Sequence, residues 1–138
     1  MLKSLLVLFP LLAANPAGPS VSISVQGLES SEGQVICALY GSRKGFPTEL
    51  EKAQRVKRVP IKGQKASCLF DRLASGTYAI AVIHDEDKDG ELDTNFLGIP
   101  SEPVGVSKNV RGSFGPPKFA DAAFQMGDSA RALKISVE

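Results

Sequence analysis

The sequence has few of the residues on which most enzymes depend. It contains one histidine, His84, two cysteines and no G-x-S-x-G motif. A nucleophilic enzyme normally needs a base beside its nucleophile, and a single histidine leaves little room for such a pair. The apolar runs are also too short to span a bilayer, which takes about 20 residues. We therefore expect a protein that is not an enzyme and has no membrane anchor.

The sequence begins with MLKSLLVLFPLLAANPAGPS, which has the pattern of a secretory signal peptide. One cation, Lys3, precedes an apolar stretch, and small residues follow it. We interpret residues 1–14 as the signal peptide, with cleavage after Ala14 or as late as Ala17. Residues 21–138 are then a single domain of a periplasmic or secreted bacterial protein.

Charge gives no indication of a nucleic-acid partner. Removal of Lys3 with the signal peptide lowers the 16 Lys and Arg residues to 15, which equals the 15 Asp and Glu residues. A neutral chain gives no reason to expect nucleic acid or an anionic membrane. The stretch 43–65 is locally cationic, with eight Lys and Arg and two acids. It is either a solvated surface or a contact for an anionic partner or for the chain's own acidic residues.

The two cysteines, Cys37 and Cys68, lie in the strand-like runs VICALY and ASCLF. In an oxidising compartment a pair of cysteines usually forms one disulfide. We predict a bridge between two strands; the alternative is two buried free thiols.

Short segments with strand patterns follow one another along the chain. Residues 21–26 alternate apolar and polar, whereas 34–40 are apolar at nearly every position, as in a strand buried on both faces. Residues 48–55 fit two turns of helix. The predicted strands are 21–26, 34–40, 56–62 with Pro60 marking an edge, 66–70, 78–83, 119–126 and 132–138. About seven short strands with almost no helix predict an all-β fold, an antiparallel β-sandwich.

Within the strand after Gly76, alternate residues are expected to differ in their surroundings. Tyr78 and Ile80 would share one face, and Ala79 and Ala81 the other. The small side chains of the second face predict close packing there.

Residues 85–118 are rich in Gly, Pro, Ser and Asn and show little periodicity, so we expect one long ordered loop excursion. We expect four of its apolar residues to pin it to the end of the sandwich: Phe96, Leu97, Ile99 and Phe114.

The acidic loop, residues 85–95, follows this central strand and has six acids within nine positions. Asp85, Asp87 and Asp89 alternate and are followed by Gly90, the D-x-D-x-D-G arrangement in which side chains 1, 3 and 5 converge on a cation. The glycine permits the sharp turn, and the carbonyl of Glu91 would point inward. Hard oxygen ligands of this kind favour Ca²⁺. The alternative is a solvated acidic turn.

The rest of the ligand set is incomplete. Asp93 would contribute directly or through water, but Phe96 stands where an EF-hand has a bidentate Glu. Asn95 and His84 are candidates for the missing ligands. The alternative is that His84 has a structural role and is hydrogen-bonded at the end of its strand.

Four stretches, HDEDKDGELDTN, NFLGIPSEP, VSKN and FGPPKFADAAF, together resemble the DUF2141 family of exported bacterial proteins. The likeness covers residues 21–138 and is strongest from Leu73 to Phe124. It implies an exported domain and attaches no activity. The L-x-x-G-x-Y run also resembles transthyretin-like and carboxypeptidase-regulatory sandwiches, which usually bind or scaffold. An immunoglobulin-like or transthyretin-like sandwich is therefore expected.

We interpret the protein as a monomeric binding or structural module with a structural Ca²⁺ ion. Its ligand would be a protein or a carbohydrate of unknown identity. The rival interpretation is a metal-dependent hydrolase with a site among His84, the acidic loop and residues 107–109.

Overall fold

The computed structural model describes residues 18–92 and 101–137, which form two β-sheets that share one core. Within these residues the eight strands are β1 Val21–Gln26, β2 Gln34–Tyr40, β3 Arg55–Pro60, β4 Ala66–Phe70, β5 Gly76–Asp85, β6 Val104–Val106, β7 Phe124–Met126 and β8 Arg131–Ser136. Two 3-10 turns, Leu50–Lys52 and Ser107–Asn109, and a one-turn helix, α1 Phe119–Ala122, lie between them. None of the helices in this part of the chain has the length and apolar character that crossing a membrane requires.

The predicted all-β sandwich is confirmed, with one change in strand direction. The larger sheet has the order β3-β2-β5-β6, with β7 also on β5, and all its ladders are antiparallel. The smaller sheet has the order β4-β1-β8, and its β1–β8 pair is parallel. Val21 pairs with Arg131 and Gln26 with Ser136, so β8 enters at the same end as β1. Antiparallel pairing throughout was therefore the wrong expectation for this pair.

The strand patterns follow from burial. In β1 the apolar residues Val21, Ile23 and Val25 are buried and the polar residues between them are exposed, as predicted. β2 is buried on both faces because Cys37 and Leu39 face the core between the sheets, whereas Ala38 and Tyr40 belong to a second apolar cluster on the other face. Pro60 ends β3 at the edge of the larger sheet, where the N–H that proline lacks is not needed by the ladder.

The core between the sheets is formed by the inward side chains of six strands. Its members on those strands are Val21, Ile23, Val25, Val35, Cys37, Leu39, Cys68, Phe70, Tyr78, Ile80, Val82, Phe124, Met126 and Ile135. Cys37 of β2 and Cys68 of β4 are disulfide-bonded across this core, with their Cα atoms 6.7 Å apart. The structure therefore has the predicted bridge, and it joins the two sheets.

The outer face of β5 packs closely, as its small residues predicted. Ala79 and Ala81 are fully buried beneath a second apolar cluster. Phe46 lies edge-to-face against both Tyr40 and Phe119, with ring centroids 5.3 and 5.9 Å away. The small side chains of Ala79 and Ala81 leave room for this aromatic layer.

The helix predicted over 48–55 is reduced to the 3-10 turn Leu50–Lys52. Arg55 already pairs with Leu39 in the β2–β3 ladder, and this long-range pairing prevents a second helical turn.

The strand predicted over 119–126 is wrong in its first half, where the chain forms α1, and only Phe124–Met126 are extended. The Ser107 hydroxyl donates to Ala122 O at 2.7 Å and holds the end of this helical turn against β5.

The loop excursion contains more structure than predicted, since β6 and the Ser107–Asn109 turn lie within it. Phe114 is fully exposed, so the expectation that it pins the excursion is wrong. Phe96, Leu97 and Ile99 lie outside the described residues.

Asn109 and Gly105 connect the excursion to the outer edge of β8. The Asn109 side chain donates to Lys134 O at 3.1 Å and accepts from Ser136 N at 2.8 Å. Gly105 lies so close to Ser136 that a Cβ atom would overlap its carbonyl oxygen.

We expect Gly105→Ala to lower the free energy of unfolding by about 1–3 kcal/mol, because the added methyl group has to displace β8 backbone. Urea denaturation measures the change. Gly127→Ala is the matched control, since a Cβ atom there meets nothing within 4 Å. Equal stability of the two variants would contradict the close approach of β6 to β8.

Replacement of both cysteines, Cys37→Ala with Cys68→Ala, should lower the free energy of unfolding by about 3–4 kcal/mol. The bridge closes a loop with a sequence separation of 31 residues, and its loss frees that loop in the unfolded chain. Urea denaturation with and without reductant tests this. Reductant should destabilise the wild type and leave the double variant unchanged, and alkylation of both thiols without reduction would disprove the bridge.

Candidate metal centre

The acidic loop begins inside the larger sheet. Asp85, the last residue of β5, pairs in register with Gln34 of β2 and is fully buried. Its Oδ2 atom accepts hydrogen bonds from Gln34 Nε2 at 2.8 Å and from Gly90 N at 2.9 Å. These bonds fix the carboxylate and fold the loop back onto the end of the strand.

The two following aspartates bind the loop backbone. Asp87 Oδ1 accepts from Asp89 N at 3.3 Å, and Asp89 Oδ1 accepts from Glu91 N at 2.9 Å. Each side chain thus holds the amide two residues further on, the pattern by which aspartate stabilises turns. Gly90 has a φ of +80°, a left-handed conformation in which glycine carries no steric cost. The resulting curl brings the carboxylates of Asp85, Asp87 and Asp89 together, with oxygens within 4.8 Å of one another.

The geometry of this carboxylate group fits a calcium ion. Oxygens that share a Ca²⁺ ion lie 2.3–2.6 Å from it and therefore at most about 5 Å apart. Asp85 supplies a further indication, because its Oδ1 atom is buried and has no hydrogen-bond partner in the described part of the chain. A buried carboxylate oxygen without a partner is costly, and a bound cation would offset that cost.

Of the other predicted ligands, Asp93 and Asn95 fall outside the described residues. Glu91, expected to contribute its backbone carbonyl, has an exposed side chain that is not one of the three grouped carboxylates. His84 precedes Asp85 and is directed to the opposite face, because side chains alternate along a strand. It is fully buried and donates from Nε2 to Glu32 O at 2.8 Å.

Two residues near the loop were not singled out from the sequence. Arg58 of β3 donates from Nη2 to Gly90 O at 2.9 Å, so the cationic stretch does contact the acidic loop. Glu102, only 6% exposed, accepts from Glu86 N at 2.8 Å through Oε2. The only sequence feature that marks Glu102 is its position as an acidic residue beside Pro and Val, just before a strand.

Gly33 allows the chain to pass close to the start of the loop. It has a φ of +77°, and a Cβ atom there would overlap Asp85 O and the backbone of Glu86. A side chain at this position would therefore displace the strand end that carries the carboxylate.

The fold and the loop define an all-β sandwich protein with a three-carboxylate loop at the end of a central strand. Residues 23–134 match the family described as uncharacterized protein conserved in bacteria (DUF2141), and the chain belongs to this family. The resemblance noted from the sequence is confirmed. No curated protein and no solved structure matches the chain.

Gly33→Ala should cost about 2 kcal/mol more of unfolding free energy than Gly63→Ala. Both glycines have a positive φ, so both variants carry the strain of a left-handed alanine. A Cβ atom at Gly63 meets nothing within 4 Å, so overlap with the loop is the difference between them. Urea denaturation of the two variants makes the comparison, and equal losses would contradict the described contact.

Proposed function

We propose that the protein is an exported β-sandwich module in which the acidic loop binds Ca²⁺, and that it acts by binding or scaffolding. The observation that carries the proposal is Asp85, whose fully buried carboxylate has one unpartnered oxygen beside the carboxylates of Asp87 and Asp89. A solvated acidic turn does not account for a buried carboxylate oxygen without a partner at its first residue.

A bound cation would offset two unfavourable contributions to the free energy of the folded loop. The three carboxylates repel one another at the separations observed, and the buried oxygen of Asp85 lacks a partner. Ca²⁺ accepts six to eight oxygen ligands in irregular geometry, whereas Mg²⁺ requires a near-ideal octahedron. A loop that supplies three carboxylates and leaves the remaining positions to carbonyls or water therefore favours Ca²⁺. Because Phe96 stands where an EF-hand has a bidentate Glu, we expect a calcium dissociation constant of roughly 10⁻⁴ to 10⁻³ M.

Export is supported by two independent features. The N-terminal residues 1–14 have the pattern of a signal peptide, and Cys37 and Cys68 form a bridge of the kind that persists in oxidising compartments.

A role in binding is favoured over catalysis by the position of the one histidine. His84 has no exposed surface, and its Nε2 atom is hydrogen-bonded to the chain's own backbone. A general base has to come within hydrogen-bond reach of its substrate. Turnover in a broad hydrolase panel that disappears in His84→Ala would overturn this part of the proposal.

Calcium should stabilise the protein measurably. At about 10 mM Ca²⁺ the expected dissociation constant gives about 1–3 kcal/mol of added unfolding free energy, or roughly 5–10 °C in Tm relative to EDTA. Thermal melts in both conditions test this, and Asp87→Ala with Asp89→Ala should abolish the difference.

The matched control is Asp121→Ala with Asp128→Ala, which removes two exposed aspartates. Asp128 follows β7, which pairs with the start of β5, and Asp121 precedes Ala122, which Ser107 joins to Ile80. Measured along β5, these points lie about 15 Å or more from Asp85. This control variant should show the same increase in Tm with calcium as the wild type. Equal Tm values of the wild type in Ca²⁺ and EDTA would disprove the site, and a shift that survives the loop variant would place the ion elsewhere.

A further inference from the structure

Glu102 joins the acidic loop to the chain that leads into β6. Its Oε2 atom accepts from Glu86 N at 2.8 Å, and its side chain is almost fully buried. One residue later, Pro103 O accepts from His84 N at 3.0 Å, and Val104–Val106 then pair with β5. The loop and β6 are therefore linked through a buried carboxylate and an adjacent backbone bond.

Glu102 also lines a groove beside β6. The groove has a volume of about 840 Å³, within the range of small-ligand sites. Its apolar lining includes Val104 and Val106 of β6 and Val110 and Pro117 of the chain that follows. One side chain thus contacts the candidate metal loop and forms part of the groove wall.

We propose that Glu102 is a positioning residue that makes the shape of this groove depend on the cation in the acidic loop, an inference that rests on the calcium site proposed above. A cation draws the carboxylates of Asp87 and Asp89 towards that of Asp85, which the sheet holds in place. The Asp87 and Asp89 side chains hold backbone amides of the same loop, so the backbone moves with them. The Glu86 amide moves too, and Glu102 follows it.

Burial explains why Glu102 follows and does not release the loop. At 6% exposure its carboxylate has little access to water that could replace the Glu86 amide. Breaking a hydrogen bond to a buried carboxylate is costly. Displacement of Glu102 therefore moves the backbone of Val104, which follows two residues later and lines the groove.

The charge of Glu102 has a separate effect. A carboxylate near the three aspartates strengthens their attraction for a cation, and a buried charge is screened less than an exposed one. Glu102→Gln keeps an oxygen that can accept from the Glu86 amide but removes the charge. Glu102→Ala removes both, so the two variants separate charge from positioning.

The test is a titration of the protein with Ca²⁺ alone, followed by NMR. Backbone amides of Asp87, Asp89 and Gly90 report the loop, and ¹³C-methyl signals of Val104 and Val106 report the groove. In the wild type both sets should shift with one dissociation constant. In Glu102→Ala the loop amides should still shift, whereas the methyl shifts should fall to less than about half.

Glu102→Gln should keep the methyl shifts while weakening calcium binding by roughly threefold to tenfold. Glu86→Gln is the matched control, because its side chain is exposed and only its backbone amide contacts Glu102. It should retain the methyl shifts and weaken binding less than Glu102→Gln. An equal or larger weakening of calcium binding in Glu86→Gln would contradict the charge effect of Glu102. If Glu102→Ala does not fold, the wild-type titration still tests the coupling through the methyl shifts.

The remaining outcomes separate the inference from the calcium site. Loop amides that shift while the wild-type methyl signals stay fixed would overturn the coupling and leave the site intact. Full methyl shifts in Glu102→Ala would show that the coupling does not pass through Glu102. Failure of all signals to shift at about 10 mM Ca²⁺ would remove the calcium site and the inference together.

Discussion

The pairing of β5 with β2 along its length is the constraint on which the candidate metal centre depends. Seven residues of β2, from Gln34 to Tyr40, pair with β5 from Asp85 back to Ala79. This register buries Asp85 at the end of the ladder and places Gln34 beside it as a donor. The loop therefore starts from a fixed carboxylate on a central strand, and movement of that carboxylate would require movement of the sheet.

The surroundings of the loop contain charges of both signs. Arg58 reaches the loop from β3 and binds the Gly90 carbonyl, while Glu102 binds the loop from the side of β6. The guanidinium partly offsets the acidic charge when no ion is bound and repels an ion that enters. The carboxylate of Glu102 has the opposite effect. An ion in the proposed site would therefore meet neighbouring charges of both signs.

The features that could be predicted from the sequence are those with a local cause. The alternation in β1 and the D-x-D-x-D-G spacing each arise from neighbouring residues, and the structure reproduces both. The one-turn helix α1 depends on a bond from Ser107, which lies 15 residues away from Ala122. Glu102 likewise gains its role from a contact with Glu86 across the loop excursion. No local sequence pattern encodes such contacts. The parallel direction of β8 could not be predicted for the same reason, because it depends on the path of the whole chain.

The side chain of Asn109 has a consequence for association between molecules. The outer edge of a sheet presents unpaired amides and carbonyls to which a strand of another chain can add. Along β8, the Asn109 amide satisfies Lys134 O and Ser136 N, one acceptor and one donor, as a neighbouring strand would. A single side chain thus occupies two of the hydrogen-bonding positions that a strand added at this edge would use.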